Sequence, residues 1–319
     1  MASKFSNLLP RVGVAIVAIP LILFICYYGK LPFFLFVLGV ALLASWEFFQ
    51  LAKAKGGNPQ TITAMIIVVL LHLAFFHEQI QYFLLPMFES GGGISLLTKL
   101  QFFLTLFLLS IVVVLLIELF RNAGSVFLNA GYTIFGIVYV GLFLSTLVGI
   151  RELFGDEFPM ILAAQSSSVD AALSSPLKET TYAWGGATII SILVSIWMCD
   201  TAAYFGGLSL GKHKLFPRVS PNKSWEGAVW GFAGAVATML IAQHYFLPFV
   251  KLHQAVIMGI IIGVFGQIGD LIESLVKRDA GVKDSSHIIP GHGGVLDRFD
   301  SLIFVSPILY LYIDFVILS

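Results

Sequence analysis

The sequence predicts an all-α polytopic membrane protein with about nine transmembrane helices and polar catalytic loops at the cytoplasmic ends of the last four. Three observations carry this. Apolar residues fill 58% of the 319 positions and charged residues only 11%, where soluble domains are about a quarter charged. Nine windows stay apolar over the roughly 20 residues that a bilayer core of about 30 Å requires. Lys and Arg also divide unevenly between the two faces that alternating spans define.

The windows run near 12–28, 31–50, 60–76, 97–119, 128–150, 182–205, 227–247, 252–272 and 301–318. Several contain Gly or Pro, which spanning helices tolerate. The first window follows Lys4 and Arg11 as a signal peptide would, yet its end, FICYYGK, offers no small-residue cleavage site, so it is expected to remain as a helix. The two cysteines, Cys26 and Cys199, fall inside spans, which supports neither a disulfide framework nor a Cys-based zinc site.

Of the 18 Lys and Arg residues, Lys30, Lys99, Arg151, Lys178 and Lys251 fall on one face and all the others on the opposite one. The positive-inside rule puts the richer face in the cytoplasm. Without the charged loops 206–226 and 273–300 the two faces balance, so the orientation rests on Lys4, Arg11, Lys53 and Lys55. Either way, both polar loops share a face.

Residues 1–150 read as a transmembrane scaffold of about five spans, with Glu47 and Glu118 as exceptions among few internal charges. Segment 151–181, rich in Ala and Ser, reads as an extramembrane loop, and 182–319 as a catalytic transmembrane region of about four spans. Residues 78–96, with YFLLPMF and GGG, fit an interfacial turn or a re-entrant piece. Gly227 with Gly231, and Gly259 with Gly263, have small-xxx-small spacing that favours close helix packing. The same spacing leaves a homodimer open.

Candidate chemistry begins with Asp270 in GQIGDLIESLVKRD. If the helix continues, Asp270 shares a stripe with Ser274 and Lys277. If it stops, a carboxylate stands at the negative end of the helix dipole, which disfavours it by about 0.3–1 kcal/mol unless a cation binds. Asp297 and Asp300 open the last span as LDRFD and read either as helix-start caps or, with Asp270, as a carboxylate metal site suited to Mg²⁺. The preceding PGHGG run, Pro290 to Gly294, reads as a plain turn or as backbone able to approach a phosphate, with His292 as a further donor beside Gly293 and Gly294.

A second polar stretch reads CDTAAYFGGLSLGKHKLFPRVSPNKSWEG, from Cys199 to Gly227. Gly206 to Lys212 matches G-x-x-x-x-G-K, but His213 stands where a Mg²⁺-binding hydroxyl belongs and a span, not a strand, precedes it, so a P-loop is excluded. What remains is a basic, glycine-bearing loop with Lys212, Lys214, Arg218 and Lys223, suited to polyanions or to anionic lipid surfaces. Asp200, within a span, tips the reading toward a site, because a lone buried carboxylate costs several kcal/mol.

SLVKRDAGVKDSSHIIPGHGGVLDRFD, Ser274 to Asp300, resembles the signature of the phosphatidate cytidylyltransferases, and the upstream DTAAYFGG and GKHKLFPRVSPNKSWEG resemble that family's second shared block. The resemblance covers about residues 200–300. Asn222 and Ser224 depart mildly from the Lys and Thr more usual there. The resemblance implies CTP plus phosphatidate giving CDP-diacylglycerol and pyrophosphate, with Mg²⁺ held by Asp270 and Asp297 and a potassium ion as a further candidate. It implies a bacterial inner-membrane enzyme whose partners are CTP, phosphatidate and membrane lipids, with no nucleic acid.

On this reading Lys277, Arg278, Lys283 and Arg298 divide contacts to the phosphates, and Asp300 supports them. Ser220, Asn222, Lys223 and Glu226 become nucleotide candidates. The rivals are a CTP-dependent polyprenol or phytol kinase and a lipid or ion transporter. A CDP-alcohol phosphotransferase is excluded because it needs a D-G-x-x-A-R run.

Overall fold

In the computed structural model, the chain is described over residues 8–76, 99–155, 175–289 and 293–318. Its helices are α1 (Leu8–Tyr28), α2 (Lys30–Ala54), α3 (Thr61–Phe75), α4 (Lys99–Phe120), α5 (Val126–Gly136) and α6 (Phe143–Glu152), then α7 (Ser175–Leu210), α8 (Trp225–Tyr245), α9 (Leu252–Asp279) and α10 (Leu296–Tyr312). A π-helical stretch, Ile137–Leu142, joins α5 to α6, so window 128–150 is one continuous helix. A second π-helical stretch, Ile313–Ile317, extends α10.

Among the described residues seven helices are long and apolar enough to cross a membrane, and Ile16–Tyr28 and Thr61–Phe75 are shorter apolar helices. Helix ends differ most from the predicted windows. Helix α7 starts at Ser175, inside the expected 151–181 loop; α9 runs on to Asp279 and α10 starts at Leu296. Hydropathy marks where lipid is, whereas backbone hydrogen bonding carries a helix on into polar sequence. Residues 78–96 and His292 lie outside the described residues.

The expectation of an all-α chain needs one correction. Strands β1 (Lys214–Phe216) and β2 (Ser220–Ser224) pair antiparallel, Lys214 opposite Ser224 and Phe216 opposite Ser220. Ser224 then caps α8 by accepting from Gly227 N at 3.2 Å, a usual N-cap arrangement.

Two buried apolar clusters hold the bundle. One joins Phe33, Phe34 and Cys26 to Ile189, Met239, Met258 and Leu309; the other joins Phe48, Val68 and Leu71 to Val140, Leu296 and Ile303. The outside is apolar as well: Ile62, Phe120 and Phe127 lie bare, Phe127 at 92% exposure. A water-soluble monomer does not carry so much exposed apolar surface; an integral membrane protein does. Inside α10, Pro307 cannot donate to the Ile303 carbonyl, and the Ser306 hydroxyl lies 3.3 Å from that oxygen and 2.7 Å from Phe143 O. Hydroxyls commonly repair proline gaps in spanning helices.

Consecutive helices α7, α8, α9 and α10 pack side by side. The α7–α8 crossing is close because a Cβ on Gly227 would stand 2.7 Å from Ala203 O and 3.1 Å from Gly207 Cα. Replacing Gly227 by Leu is expected to force the two helices apart, costing about 1–3 kcal/mol as overpacking does. A lower melting temperature of the purified protein in detergent measures it, with Gly131→Leu as the comparison because a Cβ there meets nothing within 4 Å.

Candidate active site

Helix α9 carries Asp270, Glu273, Ser274 and Lys277 at spacings of three, four and seven residues, which puts them on one face. Helix α10 starts early enough to place Asp297 and Asp300 in its opening turns. Packing of α9 on α10 brings Asp270, Glu273 and Asp300 together, one carboxylate oxygen of each lying within 4.8 Å of the others. Near 4 Å a pair of like charges repels by about 4 kcal/mol at an effective dielectric of 20, so cations must answer them.

Two lysines do so, one from β2 and one from α9 itself. Lys223 of β2 reaches across to Asp270 Oδ2, whose other oxygen lies 3.4 Å from Ser274 Oγ. Lys277 Nζ stands 2.7 Å from Glu273 Oε2 and 2.6 Å from Asp297 Oδ1. The Lys223 contact ties the two polar loops of the sequence into one site. The remaining donors are carboxylate oxygens, the set that suits a hard cation such as Mg²⁺, so these residues fit the ion that the sequence implied.

Asp297, expected beside Asp270, is engaged differently. It accepts from Gly294 N at 2.7 Å and Ser285 N at 3.0 Å, lies 3.1 Å from Ser285 Oγ, and takes Lys277 as its countercharge. It therefore braces the start of α10 while Glu273 and Asp300 stand with Asp270. Gly293 has φ +82° and a Cβ there would meet Asp297. Beside Gly294 the space is filled by Ser285 and Glu47, so this glycine makes room for side chains of the chain itself.

A cavity of about 500 Å³ opens beside the cluster. Asp200, Asn222, Lys223, Gln267 and Asp270 give its polar wall, and Ala203, Tyr204, Leu208 and Leu215 its apolar one. Asp200 is exposed to this space, so the isolation expected of a carboxylate inside a span does not arise. Another cavity, of about 510 Å³, lies among Phe75, Phe103, Phe143 and Tyr310, with Thr146 and Asp314 as its polar members. Of these two, the first combines paired charges with an apolar wall and borders the carboxylate cluster.

Other expected residues take distinct places. Glu226 accepts from Lys212 N at 3.1 Å, His213 N at 3.2 Å and His213 Nδ1 at 2.6 Å, closing the turn that leads into β1. Lys212 and Lys214 are exposed and Ser220 is half-buried. Arg278 donates to Val282 O at 3.0 Å, capping the end of α9, and Lys283 and Arg298 are exposed.

Sequence reading missed two acids. Glu273 was overlooked although its spacing from Asp270 and Lys277 was visible. Glu47, fully buried in α2, accepts from Ser285 Oγ at 2.8 Å, Ser286 Oγ at 2.5 Å, Val295 N at 2.9 Å and Leu296 N at 2.8 Å. Its one sequence signal was a carboxylate inside an apolar window.

The fold and site define an integral membrane protein in which α7, α8, α9 and the hairpin line a cavity with paired charges on one wall and apolar side chains on the other. The sequence model of the cytidylyltransferase family matches residues 9–316. A phosphatidate cytidylyltransferase of Bacillus subtilis is 32% identical over 307 residues, covering 94% of this chain and 95% of its own. One from Brucella suis is 44% identical over 143 residues, 44% of this chain and 52% of the relative, and one from Staphylococcus saprophyticus is 47% identical over 121 residues, 38% and 46%. The chain belongs to the cytidylyltransferase family.

Removing Lys277 strands two largely buried carboxylates, a loss of about 3–5 kcal/mol. Lys277→Met is expected to lower the yield of folded protein and its melting temperature sharply. Adding Glu273→Gln to it should recover part of that loss, as read by thermal unfolding in detergent.

Proposed function

We propose that this protein transfers the cytidylyl group of CTP to phosphatidate, giving CDP-diacylglycerol and pyrophosphate in phospholipid biosynthesis. Membership of the family and the relatives of that name support the reaction. The observation that carries it here is the Lys223–Asp270 contact, which sets a basic hairpin against a carboxylate cluster at the mouth of a half-apolar cavity.

The reaction joins a lipid phosphate oxygen to the α-phosphorus of CTP and breaks the α–β bridge. A phosphate monoester with a second pKa near 6 is largely dianionic at neutral pH, so no general base is needed. The barrier is repulsion between anions. Lys223 lies in the cavity wall and can turn from Asp270 to a phosphate. Lys212, Lys214 and Lys283 are exposed cations on the hairpin and the flanking loops, suited to the triphosphate and the departing pyrophosphate, and Arg298 is an exposed cation on α10. Asn222 and Asp200 offer polar contacts to the nucleotide.

Mg²⁺ would be held by Asp270, Glu273 and Asp300, with Asp297 bracing them; when bound, it supplies positive charge to the transferring phosphate. A potassium ion beside it would draw on the same oxygens. The apolar wall of Tyr204, Leu208 and Leu215 suits the lipid end of phosphatidate. We place this chamber at the cytoplasmic side of a bacterial inner membrane, because CTP is water-soluble and the richer set of Lys and Arg lies on that face.

Proteoliposomes given labelled CTP, phosphatidate and Mg²⁺ are expected to release pyrophosphate only when phosphatidate is present. Asp270→Asn should insert normally and lose about 10²-fold or more in turnover, the scale of one lost transition-state contact. Undiminished turnover in that variant removes Asp270 from the site. CTP use driven by a lipid alcohol, or lipid movement without nucleotide turnover, overturns the assignment itself.

A further inference from the structure

Helix α10 has no side-chain cap of its own: Val295 precedes it and offers none. The first N–H groups of any helix lack partners within it, and here a distant helix supplies them. Glu47 of α2 lies nearly 250 residues away, and its two oxygens receive Val295 N and Leu296 N, one each. Ser286 Oγ shares the first oxygen and Ser285 Oγ the second. Four uncharged donors, two hydroxyls and two backbone N–H groups, and the positive end of α10 answer this carboxylate.

From Glu47 a chain of polar contacts leads to the clustered acids of α9 and α10. Ser285 Oγ lies 2.8 Å from Glu47 and 3.1 Å from Asp297, its one proton serving one of them at a time, and Ser285 N holds Asp297 at 3.0 Å. Asp297 holds Lys277 at 2.6 Å, and Lys277 holds Glu273 at 2.7 Å. Glu273 stands in the cluster with Asp270 and Asp300. Gly294 is confined between Ser285 and Glu47, where a Cβ would collide with both. A packing role alone needs no carboxylate, since burying one costs several kcal/mol unless its partners compensate.

We infer that Glu47 is a positioning residue for catalysis: from the N-terminal half it fixes the 285–297 turn and, through Asp297 and Lys277, the geometry of the Asp270, Glu273 and Asp300 oxygens. The inference rests on the metal reading under Proposed function. Partners of ligating groups set ligand orientation, and their loss typically costs about 10–100-fold in metal affinity or activity.

The test uses the full-length protein in detergent and three variants, Glu47→Gln, Glu47→Asp and Ser285→Ala. Mn²⁺ binding without substrates is followed by electron paramagnetic resonance, kcat and the KM for CTP are measured with phosphatidate micelles, and melting temperature reports folding. Glu47→Gln, whose amide turns N–H toward N–H, is expected to weaken Mn²⁺ binding by about 10–100-fold and lower kcat on a similar scale, with KM for CTP moving less. Glu47→Asp should restore part of both, and Ser285→Ala should shift them in the same direction by less.

Unchanged Mn²⁺ affinity and kcat in folded Glu47→Gln overturn the inference. So does a pattern in which only the melting temperature falls. If Glu47→Gln does not fold, unchanged affinity and kcat in Ser285→Ala overturn it instead. Wild-type protein that binds no Mn²⁺ overturns the metal reading and this inference with it, whereas binding that is equal in wild type and Glu47→Gln overturns the inference alone.

Discussion

Lys277 is one ammonium with 11% side-chain exposure, shared by a carboxylate on its own helix and another on the next. Its position explains why the surrounding parts stand where they do. Glu273 can be buried at 1% only because Lys277 is one turn away, and Asp297 can turn inward from the start of α10 only because the same cation meets it. With those two acids neutralised locally, Asp270 and Asp300 can crowd Glu273 without driving α9 and α10 apart. Such ion pairs are weak sources of net stability, and their value here is registry: they fix which turn of α9 faces which turn of α10.

Contacts run between the N-terminal spans and the helices that carry the site. Lys55 at the end of α2 pairs with Asp279 at the end of α9 at 3.0 Å, and Glu47 anchors the opening of α10. The other acid of the N-terminal half, Glu118, works differently. It gathers Gln60 at 2.8 Å, Arg121 at 3.2 Å and Asn129 at 3.4 Å, which joins α4 to the segments entering α3 and α5. One exception to apolar sequence thus serves the site and the other serves the bundle.

Much of the architecture was legible because lipid exposure and hydropathy report the same physics, and each of the nine windows falls on one helical run. Asp270 and Lys223 were legible too, as charges at span ends beside glycine-bearing loops, and the structure joins them. Three things were not. The hairpin of SPNKS is held by cross-strand pairing and has no alternating apolar pattern to announce it. Glu273 looked like one more acid at a helix end, since its meaning depends on Asp300, which only tertiary packing brings near. Glu47 could be flagged as unusual but not assigned, because its four donors lie more than 230 residues on.

The length of α9 carries one more consequence. At 1.5 Å per residue, its 28 residues extend about 42 Å, well beyond a hydrocarbon core of about 30 Å. Counted from Leu252, Asp270 comes about 27 Å along the rod, so if α9 enters the hydrocarbon near Leu252, the acid arrives at the far boundary where headgroups begin. A glycerolipid anchored in that leaflet already holds its phosphorus at this depth. Reaction there requires no extraction of acyl chains into water, only lateral diffusion to the foot of the protruding helix.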